Sequence, residues 1–223
     1  MNFLRIVQIF SDLEETDLLK IEGLGERKKY NGGSIILREG EPGTAMFIII
    51  AGKVKVVRTD DGGSEVILAI FGEGDFFGEM AILDGHTRSA TVVAIDDTEL
   101  FIINQDDVFQ LLHEYPAIAI SLLKEFAVRL RQANTQIKGL SLKDAAGRVA
   151  GVILRLADEF GFFTKGEVEI TELPVQQDMA SMAGTSRETV SRILQMFAEQ
   201  GYVTLRGRKI VINDYEKFKT MYF

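Results

Sequence analysis

The chain has 223 residues, of which 46% are hydrophobic and 26% charged, values that suit one large or two ordinary globular domains. With no cysteine and only two histidines it lacks the material for disulfides, thiolate metal sites, cysteine-ligated iron–sulfur clusters or a histidine-rich metal centre. The formal net charge of −8 is unevenly spread: residues 1–141 hold 14 Lys+Arg against 22 Asp+Glu and residues 142–223 hold 11 against 11, so a local basic face for nucleic acid remains open in the second part.

The N-terminal stretch MNFLRIVQIFSDLEE is apolar but interrupted by Arg5 and Asp12, and it has no small-residue cleavage site. It reads as an amphipathic helix and not as a signal peptide. No run approaches the ~20 apolar residues of a membrane span, so a cytoplasmic protein with no membrane partner is expected. Residues 27–104 then show short alternating apolar runs at Ser34–Leu37, Ala45–Ile50, Val54–Val57, Val66–Ile70, Ser89–Ala94 and Glu99–Ile103. Glycine-rich punctuation such as Asn31-Gly32-Gly33 and Asp61-Gly62-Gly63 supplies the turns. Short strands at this spacing predict an antiparallel roll or barrel. A metal-dependent enzyme on such a roll would need two or three converging histidines, and this region has only His86. No nucleophile elbow, P-loop or zinc-protease motif occurs, and the chain is not expected to be an enzyme.

Inside the roll, Phe76–Ala94 reads FFGEMAILDGHTRSATVVA. A glycine leading into a helical turn frees backbone N–H groups for an anion. Arg88 adds a cationic fork and Ser89 a hydroxyl donor, both suited to a phosphate. Glu79 fits beside a phosphate when it accepts from another donor, for which a ribose 2′-hydroxyl is suitable. Gly78, Glu79, Met80, Arg88 and Ser89 are thus the expected ligand-contacting set. The segment resembles the phosphate-binding cassette of cyclic-nucleotide-binding domains, and the resemblance implies that Glu79 takes the ribose hydroxyl while Arg88 and Ser89 hold the cyclic phosphate.

From Gln105 the apolar period lengthens. Asp106–Tyr115 can form one helix, ended near Pro116, and a longer helix follows from about Ala117. In it Ala119, Leu123, Phe126, Leu130, Ala133, Ile137 and Leu140 are spaced 4, 3, 4, 3, 4 and 3. This a/d seam predicts a two-stranded coiled coil and hence a homodimer, the alternative being that so narrow a stripe packs on its own roll. The resemblance to cyclic-nucleotide-binding proteins with this layout implies that Asn134 or Thr135, near the seam's far end, touches the purine; where such relatives carry a Thr-Ser pair facing adenine, this chain has Ala133-Asn134. Gly139–Lys143 reads as a hinge.

Asp144–Phe160 is amphipathic, Phe162-Phe163 follow as a loop expected to pack into the core, and Val168–Thr171 suits a short strand. The stretch VQQDMASMAGTSRETVSRILQMFAE, Val175–Glu199, places small Ala180 where two helices approach, Gly184 at a sharp turn, and Val190, Ile193 and Leu194 under a second helix. That is a helix-turn-helix, whose second helix presents Arg187, Glu188 and Arg192 for bases, with Thr185 and Ser186 near the phosphates. Thr185-x-x-Glu188 also reads as a capping box and Glu188–Arg192 as an i,i+4 pair. Gly201–Ile212 reads as a hairpin whose tip, Arg206-Gly207-Arg208-Lys209, suits the DNA backbone, with Lys143 a further phosphate candidate.

The block SRETVSRIL resembles the recognition helix of the cAMP receptor protein branch of the Crp-Fnr transcription regulators. Cassette, dimer helix and DNA helix follow in that family's order. The resemblance implies an α+β chain: a β-roll with N-terminal helices over 1–108, a dimerisation helix and hinge over 109–141, and a winged helix-turn-helix over 142–223. It also implies cAMP or another cyclic nucleotide as allosteric effector with no metal, a palindromic TGTGA-like site on double-stranded DNA, and RNA polymerase as partner. The same architecture with a vestigial or retuned pocket is the alternative.

Overall fold

The structure, a computed structural model, describes residues 3–222; Met1, Asn2 and Phe223, at the ends of the expected domain ranges, lie outside the described residues. The chain forms two compact units divided between Arg131 and Gln132.

In the first unit the N-terminal stretch is not one amphipathic helix. It makes 3-10 turns at Phe3–Ile6 and Gln8–Phe10, then α1 (Glu15–Glu22), because Leu4, Val7, Ile9, Phe10 and Leu13 are all buried and no single helical stripe contains them. The roll follows: β1 (Glu26–Tyr30), β2 (Ile35–Leu37), β3 (Ala45–Ala51), β4 (Val54–Thr59), β5 (Glu65–Phe71), β6 (Phe76–Phe77), the short helix α2 (Glu79–Asp84), β7 (Thr91–Ala94) and β8 (Thr98–Asn104). Two antiparallel four-stranded sheets result, in the orders β1-β8-β3-β6 and β2-β7-β4-β5. β3 has an uninterrupted apolar run because both its faces are covered. Phe47 and Ile49 join Leu37, Val54, Phe77, Val92 and Leu100 in one cluster, and Met46 and Ile48 join the N-terminal turns and the following helices in the other. Each fully buried side chain of this size contributes about 1.5–3 kcal/mol.

α3 (Gln105–Glu114) and the 27-residue α4 (Pro116–Leu142) come next. Ile118, Leu122 and Phe126 of α4 pack on the helical side of the core. The expected seam therefore divides: Phe126 turns inward, whereas Leu123, Leu130, Ile137 and Leu140 are 58–66% exposed. The helix runs through Gly139 to Leu142, so of the expected hinge Gly139–Lys143 only Lys143 lies outside it, and the break between α4 and the next helix falls at Lys143 and Asp144.

The second unit continues with α5 (Ala145–Phe160), β9 (Phe162–Thr164), β10 (Glu167–Ile170), α6 (Gln176–Ala183), α7 (Arg187–Glu199), β11 (Val203–Arg206), β12 (Lys209–Ile212) and α8 (Tyr215–Tyr222). Asp144 caps α5, its carboxylate accepting from the Gly147 N–H at 2.8 Å. The sheet order is β11-β12-β10-β9, all antiparallel. Phe162 and Phe163 are not core residues in a loop. They lie on edge strand β9, 65% and 59% exposed, because among the described residues it pairs with β10 alone.

Candidate functional site

Gly78 ends β6 at φ 84°, in the left-handed region that a side chain disfavours. A Cβ there would lie 2.9 Å from Nη1 of Arg88, so glycine also makes room for the arginine. The Arg88 guanidinium, 5% exposed, donates to the Gly78 carbonyl at 2.5 Å and the Ala45 carbonyl at 2.9 Å, and it lies 5.7 Å from the Phe47 ring centre. Phe47 in turn stacks on Phe77. Burial pushes the Arg88 pKa down, with Glu79 and Glu41 acting the other way through charge. Among the described residues no carboxylate lies within ion-pair distance of Arg88. A buried cation satisfied only by carbonyl dipoles is strongly favoured by an arriving anion.

Glu79, 3% exposed, opens α2. Burial raises its pKa, and Arg129 opposes that shift. Arg129 is the residue that sequence reasoning missed. From α4 it donates to Glu79 Oε1 at 3.1 Å, to the Phe76 carbonyl at 2.9 Å and to Glu125 Oε1 at 3.0 Å, with the Phe71 and Phe76 ring centres each 4.5 Å from its guanidinium carbon. Its place on the stripe of Ile118, Leu122 and Glu125, at helical spacing, was the available signal. Ser89 is exposed and donates to Sδ of Met80 at 3.8 Å, which brings Gly78, Glu79, Met80, Arg88 and Ser89 together as expected. Asn134 and Thr135 are exposed on α4 in the second unit. His86 is exposed in the turn after α2, its ring nitrogen 3.0 Å from the Asp84 carbonyl.

In the second unit α6 ends at Gly184 with φ 58°, the left-handed residue that lets α7 turn away, while Ala180 and Val190 are fully buried between the helices. Arg148 braces this turn, donating to the carbonyls of Ala183 at 2.8 Å, Gly184 at 3.3 Å and Lys143 at 3.1 Å. The cap of α7 is Ser186, whose hydroxyl accepts from the Thr189 N–H at 3.2 Å. The box read at Thr185 is thus displaced by one residue, because the Thr185 N–H already closes α6 on the Ala180 carbonyl. Arg187, Glu188 and Arg192 are exposed, and the expected Glu188–Arg192 pair does not form. The Glu188 pKa is lowered by its own backbone N–H, then by the Ser186 hydroxyl and the Arg187 charge. At the hairpin tip Arg206 is exposed, Arg208 donates to the Leu173 carbonyl at 3.2 Å and Lys209 pairs with Glu169 at 3.1 Å. The Lys143 ammonium donates to the Tyr222 carbonyl at 2.6 Å.

A buried cationic fork with a buried carboxylate in the roll, and a capped helix with exposed charged side chains beside a basic hairpin in the second unit, meet two known families. The cyclic nucleotide-binding domain matches residues 27–115, and the Crp-like helix-turn-helix domain matches residues 147–221. The CRP-like cAMP-activated global transcriptional regulator of Mycobacterium tuberculosis is 34% identical over 94% of this chain and 93% of its own length. This chain belongs to the Crp-Fnr family of transcription regulators.

The cyclic AMP receptor protein of Thermus thermophilus is 40% identical over 85% of this chain and 84% of its own. The crystal structure of the Thermus thermophilus catabolite activator protein, 33% identical, covers 97% of this chain and 98% of its own with a TM-score of 0.56. As a Crp-Fnr member the chain is a DNA-binding regulator with a cyclic-nucleotide effector domain and not an enzyme. Among the described residues no cluster of His, Cys, Asp and Glu could hold a metal ion, and no helix is long and apolar enough to cross a membrane.

Proposed function

We propose that the effector is cAMP, held with its cyclic phosphate on Arg88 and Ser89 and its ribose 2′-hydroxyl on Glu79. The observation that carries this reading is the buried Arg88 cation, which has carbonyl partners but no carboxylate. Glu79, fixed by Arg129, keeps an acceptor for the sugar, and Asn134 and Thr135 serve the purine. The names of the relatives, cAMP-activated in several cases, favour adenine. Ala133-Asn134 in place of a Thr-Ser pair favours the second reading, a pocket retuned to another effector or no longer coupled to DNA binding.

The regulator is a homodimer through Leu123, Leu130, Ile137 and Leu140, whose exposure in a single chain supports an apolar seam completed by a second copy. The domain scheme is 1–108, 109–141 and 142–223. Arg187, Glu188 and Arg192 read a TGTGA-like half-site, with Thr185, Ser186, Arg206, Arg208 and Lys209 on phosphates. The palindrome's half-sites lie roughly 34 Å apart or a multiple of that. The protein works in the cytoplasm with RNA polymerase, for which the exposed Phe162 and Phe163 offer a surface. Calorimetry with cAMP, cGMP and cyclic dinucleotides, run beside analytical ultracentrifugation, tests both parts. A dimer that binds cAMP most tightly supports the reading; a monomer, or equal indifference to every nucleotide, contradicts it.

A further inference from the structure

We infer that Met80 is a modification site, at which oxidation of the thioether to the sulfoxide by a peroxide weakens nucleotide binding by the cassette. This rests on the reading of Gly78–Ser89 as the nucleotide site. Because the chain has no cysteine, its oxidisable sulfur lies in its seven methionines alone. Met46 and Met179 are 4% and 1% exposed, whereas Met80 and Met221 are 50% and 49% exposed and so open to a small oxidant. Only Met80 of that exposed pair touches a ligand-binding group: its sulfur accepts from the Ser89 hydroxyl at 3.8 Å.

The chemistry is a two-electron oxygen transfer. A sulfur lone pair attacks the peroxide, the O–O bond breaks, one oxygen stays on sulfur and the other leaves as water (or as the alcohol, from an organic peroxide). Sulfur is oxidised, the peroxide is reduced, and its two oxygens account for both products. A thioether is a weak acceptor, so in the native cassette Ser89 gives up its contact with Met80 at little cost when a phosphate oxygen arrives. A sulfoxide is polar and carries an oxygen acceptor on the same atom. It holds the Ser89 hydroxyl in competition with the phosphate and sets the negative end of the S–O dipole beside the anion site. Oxidation thereby removes one of the donors to the cyclic phosphate without touching the core. Bound nucleotide in turn covers the sulfur and slows its oxidation.

The test treats the full-length protein with hydrogen peroxide, locates the gain of one oxygen atom by peptide mass mapping, and measures cAMP affinity by calorimetry before and after. Met80 and Met221 should both oxidise, saturating cAMP should protect Met80 alone, and the treated protein should bind cAMP about tenfold more weakly, the loss expected for one hydrogen bond to a charged group. Met221→Leu should lose the same factor on treatment. Met80→Leu, compared with its own untreated sample, should lose none, which separates the sulfoxide from general damage. The inference is overturned if Met80 stays reduced while Met221 oxidises, or if protein oxidised at Met80 binds cAMP like the untreated sample. Untreated protein that binds no nucleotide would overturn the cassette reading itself, and this inference with it.

Discussion

Arg88 and Glu79 are 5% and 3% exposed, while Arg187, Glu188, Arg192 and Arg206 all lie in solvent. The effector site keeps its charges where water is excluded and fixes them with carbonyls, rings and a buried ion pair before any ligand arrives. The surface proposed for DNA leaves its charges exposed to water, on a capped helix and a hairpin turn. Exposed charges are screened beyond about 8 Å at physiological ionic strength, whereas buried ones are screened much less. Small-ligand affinity built on the first pattern should therefore resist salt, and DNA affinity built on the second should not.

The largest expected effect breaks the buried side of this comparison. Arg88→Leu should weaken nucleotide binding at least about a hundredfold by calorimetry, since it deletes the buried guanidinium that has no carboxylate partner among the described residues. Next is Arg129→Ala, which strands the buried Glu79 carboxylate and should lower stability by about 3 kcal/mol in urea unfolding at neutral pH. The pH dependence has a definite sign. Glu79 has its pKa raised in the folded state by burial, so the folded protein holds its proton more tightly; the group's penalty is full and constant above the raised pKa and is relieved as the pH falls through it towards the ordinary carboxylate value. The variant removes the opposing Arg129 charge, so its deficit should narrow as the pH is lowered. A deficit constant between pH 7 and about 5 would mean that the pair is not what holds Glu79.

On the exposed side the effects are smaller. Glu188→Ala should leave stability nearly unchanged and cost roughly tenfold in discrimination at one base pair per half-site, measured by competition among duplex variants. Arg206→Ala, the least disruptive, should weaken binding uniformly across sequences and lower the salt slope by about one per protomer. Nucleotide affinity of the unmodified protein should hardly change over the same salt range.

Much of this was legible before any coordinates. The glycine punctuation marked the strands of the roll, and Gly184 with Ala180 marked the helix-turn-helix, because a positive φ and a close helix approach each demand a particular residue. What escaped was set by partners distant in sequence. β1, ERKKY, has no apolar alternation and is a strand only because β8 pairs along its whole length. β9 has no sequence signal because three residues carry no period, and α8 has none because it is held by distant partners, its Phe218 and Tyr222 packing against Phe197. Between Gly78 and Ser89 the sequence pointed to Arg88 and Ser89 as the expected phosphate side, but not to Arg129, fifty residues after Glu79, closing on its carboxylate. A heptad pattern likewise could not say that Phe126 would turn inward while its neighbours stayed exposed.

Coupling between the two kinds of site is measured most directly by fluorescence anisotropy of a labelled palindromic TGTGA duplex, titrated with the protein with and without cAMP. The prediction is tighter DNA binding in the presence of cAMP, and, by reciprocity, the same factor when cAMP affinity is measured with and without the duplex. Firm nucleotide binding with identical DNA affinity in both titrations would contradict it.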